Sequence, residues 1–393
     1  MSARTARRTT PPAPPAATTA TTATTTAPAA PLTGTGTGTG TAPRTAPPRP
    51  TAPGPTPAPA PVAPAPAAVP PVRIGVLGCA SVAWRRTLPA FAESAGAEVV
   101  AVASRDAAKA ARFAARFGGD PVTGYDELLA RPDVEAVYVP LPTGLHAHWC
   151  ARALEAGKHV LAEKPLAVSA AEAEALVALA RRTGRVLMEN RMFVQHAQHA
   201  EVRRLVAEGA IGEPRVLTAA MAFPPLPADD VRYRPELGGG ALLDAGFYPL
   251  HAALMLLTGP LEVVGAHLHE DPERGGVDIR GDVLLRDAHG VTAHLTFGFD
   301  HGYRAGYELW GSRGRLVLAR AFTPPPSWQP VIRIERQDRV EELTLAPGHQ
   351  FLTTIDRFAT AVRDGEPLAE HLETAVRGAA LMDAVRAANR RRE

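Results

Sequence analysis

From Val72 the chain falls into an alternation that few folds can accommodate. Val72-Arg73-Ile74-Gly75-Val76-Leu77 is a short apolar strand and Gly78 to Ala83 a tight turn; Trp84 to Ser94 reads as a helix with Leu88 and Phe91 buried, and Glu98 to Ala103 as the next strand. Strand, glycine turn, helix and strand within about thirty residues form a βαβ unit. The pattern continues with a helix from Ala107 to Phe117, a strand at Ala136 to Val139, a helix from His146 to Ala156, and the strand His159-Val160-Leu161-Ala162. Such crossovers give a parallel sheet with helices on both faces.

In an open sheet of this kind ligands bind beyond the carboxyl ends of the strands, so the residues after each strand carry the functional information. The first tip, Gly78-Cys79-Ala80-Ser81-Val82-Ala83, is an imperfect dinucleotide turn: Gly78 takes the first glycine position, while Ala80 and Ala83 stand where the second and third glycines often are. An ordinary strand-to-helix turn is the competing reading, and the surrounding βαβ unit favours the dinucleotide site. At the second tip an NAD enzyme would carry Asp or Glu for the ribose hydroxyl, but this chain has Ser104-Arg105. A hydroxyl and a guanidinium suit a 2′-phosphate, which predicts NADP(H); the alternative is an arginine that caps the sheet edge. The tip Glu163-Lys164-Pro165 aims an ammonium group into the same crevice, although an isolated Lys-Pro is ordinarily a surface turn. A helix opened by the capping box Ser169 to Glu172 then leads to the strand Val186-Leu187-Met188 and its tip, Glu189-Asn190-Arg191.

A helix from about Gln198 to Ala207 leads to a change of texture. From Pro214 to about Glu342, runs such as Arg215 to Ala219, Asp282 to Leu285, Val291 to Phe297, Tyr307 to Trp310 and Arg315 to Leu318 read as strands of a second, mixed sheet, with turns at His289-Gly290 and Arg313-Gly314. The fold class is therefore α/β. An N-terminal Rossmann domain (residues 71–190) precedes a C-terminal α+β domain (191–393) with a large, mostly antiparallel sheet. The closing helices, Phe351 to Val362 and Leu372 to Ala388, are candidates to pack back on the first domain.

Residues 1–70 are almost entirely Pro, Ala, Thr, Gly and Arg, too little apolar area to offset chain entropy, and read as a disordered tail. A misplaced start is a second explanation; the next methionine is Met188, so a shorter start needs a non-Met codon near Val69 or Val72. Arg7-Arg8 has no apolar segment behind it, which argues against export. No run approaches the roughly 18 apolar residues of a membrane span, so no membrane partner is expected. Lys+Arg 42 against Asp+Glu 40 implies no basic face for nucleic acid. The two cysteines, Cys79 and Cys150, make neither a disulfide framework nor a metal cluster, so no metal is expected and a reducing cytoplasm fits.

Within the second half, Gly238-Gly239-Gly240 precedes a segment read as a helix, and glycines there admit close approach of backbone and ligand. Asp244, Tyr248 and His251 follow at spacings of four and three, which would place them on one helical face. For Tyr248 alone, a half-buried tyrosine with a bonded hydroxyl is the plain alternative.

Gly78 to Ala83, Leu141-Pro142 with His146, Ala162-Glu163-Lys164-Pro165 and the Asp244 segment together resemble the Gfo/Idh/MocA oxidoreductase family, from about residue 72 to the end. More narrowly, Cys79 to Arg86, Met188 to Phe193, Gly238 to Pro249 and Phe322-Thr323-Pro324-Pro325 are similar to the NDP-hexose 3-ketoreductases of deoxysugar biosynthesis. Many relatives place His four residues after the Asp, where this chain has Tyr248, in agreement with the ketoreductase group.

The resemblance implies Lys164 and Tyr248 as the catalytic pair. It implies cofactor contacts from the Gly78 to Ala83 turn, Ser104, Arg105, Pro140, Leu141, His146, Glu163, Lys164 and Asn190. Substrate contacts fall on Arg86, Lys164, Asp244 and Tyr248, with Arg232 and Arg234 toward a diphosphate and Tyr303, Tyr307 and Thr323 toward sugar or base. The two arginines read equally as surface charge. The implied substrate is a dTDP-linked keto-deoxyhexose reduced at C3, with Tyr248 as proton donor and Lys164 lowering its pKa and steadying the oxyanion. A homodimer or homotetramer through the open face of the second sheet is implied as well. An NADP-dependent dehydrogenase of free sugars or trans-dihydrodiols, and a non-catalytic NADP-sensing regulator, are the alternatives on this scaffold.

Overall fold

The computed structural model describes residues 69–366 and 368–391, so the expectation for residues 1–70 lies almost wholly outside the described residues. The first sheet comprises β1 (Val72–Leu77), β2 (Ala97–Ser104), β3 (Asp120–Thr123), β4 (Ala136–Val139), β5 (His159–Ala162) and β6 (Leu187–Glu189) in the order β3-β2-β1-β4-β5-β6. Every pairing is parallel. The apolar runs of β1 and β4 are buried on both faces by α1 (Leu88–Glu93), entered through a π-helical turn Ala83–Thr87, with α2 (Ala107–Phe117), α3 (Tyr125–Leu129), α4 (His146–Glu155) and α5 (Ala170–Thr183). The strand order reverses between β1 and β4, which opens the ligand crevice at their carboxyl ends.

After α6 (Ala197–Ala207) come β7 (Pro214–Ala222), the short α7 (Ala241–Asp244) and α8 (Phe247–Leu256). Then follow β8 (Glu262–Asp271), β9 (Val277–Arg286), β10 (Thr292–Gly298), β11 (Arg304–Gly311), β12 (Arg315–Leu318), β13 (Val331–Arg336) and β14 (Arg339–Thr344). They form an eight-stranded sheet, β14-β13-β12-β11-β7-β10-β9-β8, in which only β7 with β10 is parallel.

Two helices join the sheets. From α9 (Gln350–Asp364), Arg363 pairs with Glu135 at 2.7 and 2.8 Å and donates to the carbonyls of Pro70 and Pro71. From α10 (Ala369–Arg390), Asp383 accepts the Ala170 N–H at 2.9 Å while Asn389 accepts the Leu268 N–H at 2.8 Å. The same helix packs on β6 and on β8, so it touches both sheets.

The helix expected after Gly240, carrying Asp244, Tyr248 and His251, is broken. α7 ends at Asp244 and α8 starts at Phe247, with Ala245-Gly246 between them. The break separates Asp244 from Tyr248 and His251, which stay together on α8, so the single face expected for all three is not formed, and His251 packs into the core. Its ring stacks on Phe247 at 3.9 Å, Nδ1 lies 2.9 Å from the Phe247 carbonyl oxygen, and a Cβ on Gly378 of α10 would sit 2.5 Å from the ring.

Candidate active site

Lys164 follows β5 in a cis Lys164-Pro165 peptide, and its side chain is only 10% exposed. Its Nζ donates to Asp244 Oδ1 at 2.6 Å and to the Asp244 carbonyl oxygen at 3.0 Å. The other carboxylate oxygen of Asp244 accepts from Arg232 Nε at 2.5 Å. Asp244 thus bridges two cations, one on each oxygen. Burial opposes its charge, but Lys164 and Arg232 together hold the carboxyl well below the usual range. Burial likewise penalises the Lys164 ammonium, yet Asp244 and Tyr248 together outweigh it and raise the pKa, so the lysine is charged.

Tyr248, on the first turn of α8, lies beside this pair: Lys164 Nζ is 5.0 Å from its ring centroid. Phe193, Phe247 and Phe322 surround the ring at 5.7, 5.7 and 5.5 Å. Its hydroxyl makes no hydrogen bond among the described residues, against the plain reading of a bonded core tyrosine. Burial pushes the phenol up to about 12; Lys164 pulls it down, while Asp244 and Glu163 push it up. The pull of the lysine has the expected sign, but burial is larger and the net shift is upward.

Glu163 and Asn190, expected at the cofactor, turn their side chains inward. Asn190 donates to Glu163 Oε1 at 2.7 Å, and the Tyr138 hydroxyl donates to the same oxygen at 2.7 Å while lying 2.9 Å from the Thr87 hydroxyl. Glu163 and Asn190 are 6% and 1% exposed, and burial raises the Glu163 pKa. His146 is a clearer correction. It has no exposed surface, and its Nδ1 and Nε2 each lie 2.8 Å from a carbonyl oxygen, of Pro165 and Leu141 respectively. It ties the loop after β4 to the Lys164-Pro165 turn instead of reaching a ligand.

The tips of β1 and β2 fit a dinucleotide phosphate. Gly78 stands at φ 123°, and a Cβ there would lie 2.7 Å from Leu141 Cδ2, so the turn requires glycine. No side chain caps the first amides of the helical turn that follows, which leaves N–H groups for an anion. Pro140 is buried, Cys79, Ala80, Val82 and Leu141 are partly buried and Ser81 is exposed around this turn, with Ala83 beneath it. Ser104 Oγ accepts the Asp106 N–H at 3.1 Å. Arg105 is exposed and has no carboxylate partner among the described residues; it acts on Tyr125, whose pKa burial raises and Arg105 lowers.

The substrate candidates divide. Arg232 reaches the site but is committed to Asp244 and Asp230, with Nη2 making no hydrogen bond among the described residues. Arg234 pairs with Glu236 on the surface. Tyr303 is half-exposed and its hydroxyl lies 3.1 Å from Thr323 Oγ1, next to Phe322 of the tyrosine's aromatic wall. Tyr307 is instead core: it is 2% exposed, and its hydroxyl lies 2.9 Å from His199 Nδ1. Arg86 is exposed, and no hydrogen bond or ion pair joins it to the Lys164 group.

Sequence reasoning missed Tyr138, which bonds Glu163 with Thr87 behind it, and the buried group of Glu189, Arg191 and His371 at the end of β6. There, Glu189 accepts the Leu166 N–H at 2.8 Å while Arg191 bonds Glu189 and His371. A tyrosine inside the apolar strand Ala-Val-Tyr-Val was the available signal, since a buried hydroxyl must find a partner.

Residues 72–191 match the family described as "Oxidoreductase family, NAD-binding Rossmann fold", and residues 199–317 match the GFO/IDH/MocA C-terminal domain. The chain is 55% identical, over 81% of its length and 98% of the relative, to a dTDP-3,4-didehydro-2,6-dideoxy-alpha-D-glucose 3-reductase from Saccharopolyspora spinosa. A crystal structure of a 3-ketoreductase from Actinomadura kijaniata with NADP and TDP-benzene aligns with TM-score 0.80 and 52% identity, covering 81% of this chain and 98% of that one. That enzyme has also been solved as a Tyr-to-Phe and a Lys-to-Ala variant, the tyrosine lying 84 residues after the lysine.

Proposed function

The chain belongs to the Gfo/Idh/MocA oxidoreductase family, and from that membership we propose that it uses NADPH to reduce the C3 ketone of a dTDP-linked 3,4-diketo-2,6-dideoxyhexose. The observation that carries this reading is the Lys164–Tyr248 pair. The two are 84 positions apart, the interval between the lysine and tyrosine substituted in the A. kijaniata enzyme. They also stand together in space beyond the sheet that would hold the cofactor.

When bound, NADPH supplies a hydride to the carbonyl carbon. The Gly78 to Ala83 turn would hold its pyrophosphate and Ser104 with Arg105 its 2′-phosphate. As charge develops on the C3 oxygen, the Tyr248 O–H bond breaks and its proton passes to that oxygen. Two of the three Lys164 N–H bonds go to Asp244, leaving the third for the same oxygen. Asp244 keeps the ammonium in place and charged. Arg232, with one edge on Asp244, offers its free Nη2 to the diphosphate.

In this reading residues 71–190 hold the cofactor and 191–393 the substrate. Copies join through the open face of the second sheet, where Trp310 and Val340 are 60% and 52% exposed, giving a homodimer or homotetramer. Among the described residues no helix is long and apolar enough to cross a membrane, and the free Cys79 and Cys150 suit the cytoplasm. The test is nucleotide dependence. NADPH oxidation with the dTDP-linked diketo sugar and none with free sugars or dihydrodiols supports the reading; turnover of the free compounds alone overturns it.

A further inference from the structure

Helix α7 is a single turn, and its first amides have no local side chain to bond: the residue before it is Gly240, at φ 114°. A carboxylate from the second sheet takes that place. Asp278, near the start of β9, accepts the Leu242 N–H on Oδ2 at 2.6 Å. The approach is tight, because a Cβ at position 240 would collide with Asp278 Oδ1, so glycine there is what admits the carboxylate. Two residues beyond Leu242 is Asp244, which holds Lys164 by both its carbonyl and its carboxylate.

We propose that Asp278 is a positioning residue for the reaction, fixing α7 and, through Asp244, the Lys164 ammonium, and that its ionised form is the effective one. The proposal rests on the reading of Lys164 and Tyr248 as the reacting pair. One helical turn is poorly self-supporting, since several dihedrals are fixed for one hydrogen bond. An anion at its start bonds the orphan amide and suits the helix dipole. A protonated carboxyl is the weaker acceptor. Burial lifts Asp278 to about 7, so both forms are populated near neutrality. Arg386 of α10 favours the ionised form and Glu270 of β8 opposes it, while Glu236 lines the same cavity of about 570 Å³.

The test compares wild type with Asp278→Asn, which keeps an oxygen for Leu242 but cannot ionise. Wild-type kcat should fall about fivefold between about pH 8 and 6, the scale of a weakened helix cap. The Asn variant should be flat across that range, at the wild-type low-pH level, with KM for NADPH unchanged. Unfolding needs no substrate and moves in the opposite direction. The folded state holds this proton more tightly than the unfolded chain, so wild-type stability should fall, relative to the variant, as pH rises from about 4 toward 7. If wild type turns over and the variant shows the same kcat profile, the positioning role is overturned. If wild type is inert toward the dTDP-sugar, the functional reading fails and the catalytic role of Asp278 with it, and unfolding then decides only the burial of its carboxyl in the fold: a pH-dependent difference supports that part and a constant one overturns it.

Discussion

Asp244 holds Lys164 twice, through its carboxylate at 2.6 Å and its main-chain carbonyl at 3.0 Å. The main-chain bond means that the path of α7, and not only a side chain, sets where the ammonium stands. The carboxylate bond means that its charge is neutralised by a residue 80 positions away.

Breaking this pair should cost both stability and rate. Asp244→Ala leaves Lys164 and Arg232 without their shared anion, and the loss is expected to be about 3 kcal/mol in urea unfolding, the scale for stripping one partner from a buried pair. Asp244→Asn keeps the shape and should lower kcat by about tenfold or more. A variant with unchanged kcat would show that Asp244 does not place the lysine.

Tyr248→Phe should lower kcat by about 10² to 10⁴, the range of general acid catalysis, while NADPH binding stays within about twofold. Because burial sets the phenol at about 12 and Asp244 raises the Lys164 pKa, both groups remain protonated near neutrality. Reduction should therefore show no alkaline fall in kcat until pH approaches the tyrosine value. Stopped-flow turnover and a cofactor titration separate the two effects.

Arg105→Ala should cut the ratio of NADPH to NADH catalytic efficiency by roughly 10- to 100-fold, the worth of a charge-assisted phosphate contact. The NADH value itself should change little. Equal loss with both cofactors would make Arg105 a structural cap.

Much of the first sheet was legible because its strands are buried on both faces and read as continuous apolar runs ending at glycine, serine or charge. The helix from Ala107 to Phe117 and the strand Ala136 to Val139 have the expected bounds. Two of the edge strands were not legible. β3 is Asp-Pro-Val-Thr and β14 is mostly exposed, so neither carries a period. Lys164 and Tyr248 could be named from type and position, but the break at Ala245-Gly246, which puts Asp244 on a different helix from Tyr248 and His251, was not evident from a lone glycine, which a helix tolerates. His146 and Tyr307 went astray for a related reason: polar type marks a residue for bonding without saying whether its partner is a ligand or a buried carbonyl or histidine.

The pair Arg363–Glu135 ties α9 to the loop before β4, and the guanidinium bonds hold the Glu135 carboxyl at about 2, below its ordinary 4.5. A depressed carboxyl stabilises the fold above its unfolded value and loses that contribution as pH falls toward the folded one. Wild-type Tm should therefore decline between about pH 4.5 and 2 more steeply than that of Glu135→Gln, with the two curves converging at the acid end. Parallel curves across this window would remove the pair from the acid response.

The most direct test follows the hydride. The dTDP-linked 3,4-diketo-2,6-dideoxyhexose, generated in place, is reduced with NADPH carrying deuterium at the transferring position, and the product is read by NMR. Deuterium bonded to C3, with one NADPH consumed per sugar and the reaction slowed at least about 100-fold in Tyr248→Phe, is the predicted result. Deuterium at C4, or no NADPH consumed, would contradict the account.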